Sequence, residues 1–256
     1  MKTLAPGSIL QNLYLKKRIR KWNKAFTFLE VGAGVGVMSN ILLTHGGQGT
    51  GIDLNEQACV ENNLMNRLFI QQGKYQVLHK DFFAFLSDHK FDIIVSMMVI
   101  EHLTPKDLDI FLKKCKVILE KDGLLVLFVP ASKKYWGIED EIAGHCKRYE
   151  FVDFDELSQK YSLQIRHIAG LTYPVSNVLF PISNYFIRRA ESYKLKLSEK
   201  EKTILSGKRD VPFKTKFPSF LSVILNEFTL LPLHWLQMIF RKNANSMVIY
   251  CELKND

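Results

Sequence analysis

The residues able to do chemistry recur at intervals through the first 150 positions: Glu30, Asp53, Asp81, the pair Glu101-His102, and the run from His145 to Tyr149. A lone carboxylate such as Asp53 can accept from both hydroxyls of a ribose. Asp81 followed by Phe82 offers what an adenine needs, an acceptor for its amino group and a flat face beside its ring. Asp81 also reads as a helix N-cap ahead of F-F-A-F-L, and both roles can hold at once. His145 is the first candidate for a general base and His102 the second, because neutral imidazole takes a proton from a hydroxyl near pH 7. Arg148 can clamp a phosphate or carboxylate bidentately, or pair with a nearby acid. Tyr135, Trp136 and Tyr149 can line an acceptor pocket or simply pack. Cys146 adjoins His145, but nothing else supports covalent catalysis.

These residues need elements to hold them, and the pattern supplies them. Phe26 to Val31 is an apolar run of strand length, followed by Gly32, Gly34 and Gly36, a helix from Val37 to Leu43, and a strand from Gly49 to Ile52 that ends in Asp53. That is the first half of a nucleotide-binding α/β unit. Asn55 to Gln71 reads as a helix burying Ala58, Leu64, Met65 and Leu68. Tyr75 to His79, Phe91 to Met98 and Gly123 to Pro130 read as further strands, with a helix from Pro105 to Glu120. Strands alternating with helices predict a doubly wound parallel sheet, whose ligand sits beyond the carboxyl ends of the strands. Asp53, Asp81, Met97 to His102 and the residues after Pro130 all fall at such ends.

The glycine spacing separates two cofactors. Counted from Gly32, the third glycine of a dinucleotide fingerprint would fall at Val37, yet it stands one residue early, at Gly36. The form E-V-G-A-G-V-G resembles the first motif of the class I S-adenosylmethionine (SAM) dependent methyltransferases. That resemblance implies SAM held by Glu30, Gly32, Ala33, Gly34, Gly36, Asp53, Leu54, Asp81, Phe82, Met97 and Glu101. It also implies a seven-stranded, mainly parallel Rossmann-like sheet, with a sixth strand at Ser162 to Ile168 and a reversed seventh at Met247 to Leu253. A helical insertion would precede the last strand. The pattern Gly144-His145-x-x-Arg148-Tyr149 resembles a bacterial branch of small-molecule methyltransferases that travels with glycan and lipid biosynthesis. The acceptor is then a hydroxyl, amine or carboxylate on a small molecule, a glycan or a lipid-linked intermediate. The rivals are an NAD(P)-dependent oxidoreductase, disfavoured by the misplaced glycine, and a silent methyltransferase fold serving as a membrane-associated assembly factor. Nucleic-acid methylation is weaker, since S-M-M-V stands where an N-P-P-Y-like tetrapeptide would follow strand four.

Composition sets the frame. Among 256 residues, 47% are hydrophobic and 24% charged, as in an ordinary globular chain. The four cysteines form no C-x-x-C pair, so no metal site is expected and a reducing cytoplasm is the simpler reading. The expected layout is one domain: a basic helix within 1–24, a SAM-binding core over 25–170, an insertion over 171–245 and the last strand over 246–256. The net charge of +9 is concentrated in the first and third of these segments, leaving an acidic body. Leu10, Leu13, Tyr14, Ile19 and Trp22 would form one stripe of the leading helix, with Lys16, Lys17 and Arg18 on its other sides. Ile168 to Ile187 is uncharged but broken by prolines and asparagines. Phe217 to Phe240 is more apolar and flanked by Lys214, Lys216, Arg241 and Lys242. Two such segments can pack as a lid that buries Trp235 and Phe240, the preferred reading, or lie peripherally on the inner membrane surface.

Overall fold

The computed structural model describes residues 3–22, 24–197, 211 and 217–256. Lys214 and Lys216 lie outside the described residues. The chain divides into two compact units. One comprises Arg18–Val129, Phe151–Ile168 and Tyr250–Asp256; the other comprises Met1–Lys17, Pro130–Glu150 and Ala169–Ile249.

The first unit is built on a seven-stranded sheet. Its strands are β1 (Phe26–Val31), β2 (Gly47–Asp53), β3 (Tyr75–His79), β4 (Phe91–Met97), β5 (Leu119–Pro130), β6 (Leu163–Leu171) and β7 (Val248–Asn255). Their spatial order is β3-β2-β1-β4-β5-β7-β6. The pairs β2–β3, β1–β2, β1–β4 and β4–β5 are parallel. The apolar runs F-D-I-I-V-S-M and L-L-V-L-F-V form the central strands because both faces are covered, so no polar alternation survives. The connecting helices are α2 (Val37–Thr44), α3 (Glu56–Met65), α4 (Arg67–Gln71), α5 (Pro105–Ile118) and α7 (Phe151–Tyr161). Thr104 caps α5 by accepting from Asp107 N at 3.2 Å, with Pro105 in the first turn.

One expectation about this unit fails. Leu64, Met65 and Leu68 are exposed, and the buried residues there are Ala58, Cys59, Asn62 and Asn66. Positions 58, 62 and 66 lie four apart on one helical face, and that face meets backbone carbonyls that need donors. Satisfying them outweighs burying three flexible apolar side chains.

The leading helix α1 (Pro6–Ile19) starts in the second unit, and its apolar stripe is spent internally: Leu10, Tyr14, Ile19 and Trp22 are all buried. Arg18, expected on the exposed side, is buried as well. Its Nε and Nη2 donate to Glu252 at 2.8 and 2.6 Å, and Trp22 Nε1 and Tyr250 OH add to the same carboxylate. In the second unit Ile9, Leu10 and Leu230 form one apolar cluster, and Ile142, Ile187 and Val211 another. Its remaining helices are α6 (Ile138–Ala143), α8 (Val175–Glu191) and α9 (Leu231–Ile239). The lid reading required Trp235 to be buried, yet it is 66% exposed. The helix turns His234 and Gln237 inward instead.

Candidate active site

The glycine turn between β1 and α2 runs through left-handed backbone at Gly32, Gly34 and Gly36. Two of these positions differ in what surrounds them. A Cβ at Gly36 would meet Asn62 Oδ1 at 2.2 Å, whereas at Gly34 it would meet nothing within 4 Å. Gly36 is therefore locked against the protein, while the space on the Cβ side of Gly34 is open. Asp53, at the carboxyl end of β2, holds the turn from its other side. Its Oδ2 accepts from Gly34 N at 2.8 Å and its Oδ1 from Asn55 N at 2.7 Å. Each oxygen keeps acceptor capacity beyond its backbone partner. A turn with open space beside its middle glycine and a fixed carboxylate fits an adenosyl group with its two ribose hydroxyls.

Beneath the turn lies a chain of buried polar groups, of which the sequence singled out only Glu30. Glu30 accepts from Ser39, whose Oγ lies 2.6 Å from Tyr75 OH, and Asn62 Nδ2 donates to that phenol at 3.2 Å. Asn62 Nδ2 also reaches Gly34 O at 3.3 Å, and Asn66 Nδ2 donates to Gly36 O at 3.1 Å. Burial raises the pKa of Glu30 to about 8; the bond from Ser39 lowers it in part, and the Asp53 charge adds to the rise. A helix placing asparagines four residues apart was the available signal, and counting only its apolar residues concealed it. Glu30 thus supports the turn from within the core.

The other expected cofactor residues sit along the same sheet edge. Ala33 is buried in the turn and Leu54 is exposed just past β2. Met97 ends β4, followed by a 3-10 turn, Ile100–His102, in which Glu101 is fully buried. Asp81 caps the 3-10 turn Phe82–Ala84, its Oδ1 accepting from Phe83 N at 2.8 Å. The ring of Phe82 turns inward onto Phe111, 4.9 Å between centroids, with Lys114 Nζ 5.0 Å from its own centroid. The flat face expected of Phe82 is thus spent in the core, and the adjacent exposed ring is Phe83, at 39%.

Of the residues expected to meet the acceptor, His145 and Arg148 gather in the second unit around one carboxylate. Asp140 is fully buried. Its Oδ1 takes both His145 Nδ1 and Arg148 Nε at 2.8 Å, and its Oδ2 accepts from Gly137 N at 2.8 Å. Burial works against the charge on Asp140, but the bonds from His145 and Arg148 and the guanidinium charge outweigh it, holding the carboxyl below its usual range. Arg148 is consumed here, since Nη1 also donates to Ala131 O at 3.1 Å. It is a structural partner of Asp140, in place of the acceptor clamp. Tyr149 is likewise buried, bridging in parallel to Ala131. Tyr135 meets Phe180 edge to face at 5.4 Å, and Trp136 is exposed. The bond between Nδ1 and Asp140 fixes the orientation of the His145 ring.

Residues 29–127, which carry the glycine turn and β1 to β5, match the family described as a methyltransferase domain. This core has the methyltransferase fold. The chain is 29% identical over 120 residues to sphingolipid C9-methyltransferase 1 of Gibberella zeae, covering 46% of this chain and 23% of that protein. It is 32% identical over 106 residues to the ubiquinone biosynthesis O-methyltransferase of Haemophilus ducreyi, covering 39% of this chain and 43% of that protein. The chain thus spans less than half the length of these curated relatives. Magnesium protoporphyrin IX methyltransferase from Synechocystis PCC 6803, solved with bound SAM, superimposes with a TM-score of 0.52 at 14% identity, over 65% of this chain and 74% of that one. The early third glycine falls inside the methyltransferase match, and the alternating glycines are part of that fold here.

Two stability measurements test the turn. Gly36→Ala should destabilise the protein more than Gly34→Ala in urea titration, because both incur left-handed strain of about 1–2 kcal/mol but only the first also displaces Asn62. For Glu30, the native state binds the proton more tightly than the unfolded chain, so stability should fall as pH rises from about 4.5 to about 8. Glu30→Gln should flatten that slope, which is on the order of a few kcal/mol across the window; thermal midpoints against pH would show it.

Proposed function

We propose that this chain is a SAM-dependent methyltransferase acting on an oxygen or nitrogen of a small acceptor of lipid or lipid-linked character, glycan-bearing intermediates included. The observation that carries the cofactor assignment is the open space beside Gly34, whose N–H is pinned to the carboxylate of Asp53. In support stand the methyltransferase domain match and a similarly folded protein solved with SAM. The lipid character of the acceptor draws on the sphingolipid and ubiquinone-pathway relatives.

When bound, SAM supplies an electrophilic methyl group on a sulfonium. Asp53 would hold the ribose hydroxyls, Leu54 and Phe83 would flank the adenine, and Asp81 would accept from its amino group. Glu101 and Met97 order the loop at the methionine end. Transfer to a neutral hydroxyl requires the acceptor to lose a proton, which His145 takes at Nε2 while Asp140 steadies the developing imidazolium. Much of the remaining acceleration comes from alignment, since displacement at a methyl carbon is in line. Tyr135 and Trp136 offer apolar rings to the acceptor, and His102 is the second candidate for the base.

Calorimetry should detect SAM and S-adenosylhomocysteine at micromolar affinity with NAD inert. Asp53→Ala should weaken the former by about 1.5–3 kcal/mol, the worth of charge-assisted hydrogen bonds. Heat from NAD and none from SAM would overturn the assignment. In a transfer assay with labelled SAM and quinol or sphingoid acceptors, His145→Ala should lower turnover about a hundredfold while leaving SAM affinity unchanged. Undiminished turnover would shift the role to His102 or to alignment alone.

A further inference from the structure

Two helices of the second unit are amphipathic in the opposite sense to that required by water. On α9, Gln237 is 1% exposed and His234 6%, whereas Ile239 is 76% exposed. The inward amides are specifically engaged: Gln237 Oε1 accepts from Thr172 N at 2.9 Å, and its Nε2 donates to Leu10 O at 3.0 Å. Trp235, on the same helix, points out with Ile239. On α8, Ile187 and Glu191 are buried, and Asn177 Nδ2 donates to Asn245 O at 2.8 Å, while Val178, Leu179, Ile182 and Tyr185 are exposed. The 3-10 segment Ser219–Val223 and its continuation add Phe220, Val223, Ile224 and Phe228 to the exposed apolar residues. Exposed apolar side chains in this number are the surface chemistry of an interaction site.

We propose that this apolar surface docks on an anionic lipid bilayer, with α8 and α9 lying in the interface. Charge selects the occupant. Among the described residues of 171–245, the acids are Glu191 and Glu227, and each is ion-paired, to Lys194 and Lys16 respectively. Arg188, Arg189, Lys196, Arg241 and Lys242 are all exposed. A second copy of the chain would bring these like charges together, whereas anionic headgroups neutralise them. Trp235, Tyr185 and Tyr193 are exposed aromatic residues of the kind enriched where headgroups meet hydrocarbon. No described helix is long and apolar enough to cross a membrane, so these helices would lie on the surface. The inference stands on surface chemistry and is independent of the methyl-transfer reading.

The test is flotation of the purified full chain with vesicles of phosphatidylcholine alone or mixed with phosphatidylglycerol, at low and high salt. Binding should require phosphatidylglycerol and weaken with salt as the Debye length shrinks. Arg241→Gln with Lys242→Gln should lower partitioning about tenfold or more. Trp235→Ser with Ile239→Ser should lower it comparably, with thermal midpoint and SAM heat unchanged, since these side chains make their contacts outward. Absence of binding to either vesicle would overturn the proposal. So would a concentration-dependent dimer that the serine variant dissociates without any change in lipid binding, or flotation indifferent to lipid charge and salt.

Discussion

The glycine turn depends on a buried carboxyl group and the donors strung out from it. Left-handed backbone leaves the carbonyls of Gly34 and Gly36 pointing into the protein, where each needs a partner. Asn62 and Asn66 supply the donors, and Tyr75 and Ser39 link Asn62 back to Glu30. The turn, the first two helices after it and β3 are consequently one hydrogen-bonded assembly. Within it, α3 must present amides inward, which explains why its leucines face solvent.

Two buried acids illustrate how partners decide charge. Glu30 and Asp140 both lose hydration, which by itself favours the neutral form. Glu30 has neutral partners and is pushed up to about 8. Asp140 has a guanidinium and an imidazole on one oxygen, and its pKa falls. The first serves as a neutral or weakly charged anchor; the second is a fixed negative charge that orients His145. Removing one partner from such a buried pair leaves an uncompensated charge, so Arg148 is as much part of this cluster as His145.

The second unit inverts the usual distribution of polar and apolar groups on α8 and α9. In α9 the inward Gln237 is bonded to main-chain groups of α1 and of the segment after β6, and His234 to Gln237, giving both a defined structural use. The outward apolar residues have no such use within the chain's own described contacts. Their cost in water is tolerable for a surface that meets a less polar medium.

The sequence by itself determined the sheet and the position of the glycine turn. Apolar runs with no alternation identify doubly covered strands, and alternating glycines followed by Asp53 identify the turn, because these depend on local backbone geometry and on which neighbours are covered. Only tertiary structure decided the fates of the long polar side chains. Arg148 had an acceptor and an acid as equally plausible partners in the sequence, and folding placed Asp140 within 2.8 Å of it. Phe82 and Phe83 are adjacent and chemically identical, and the packing of Phe111 chose which ring is buried. Trp235 was expected inside under a lid, yet main-chain groups needing partners drew the Gln237 amide inward and left the indole outside. Hydrogen-bond satisfaction is a property of groups distant in sequence, so periodicity alone does not reveal it.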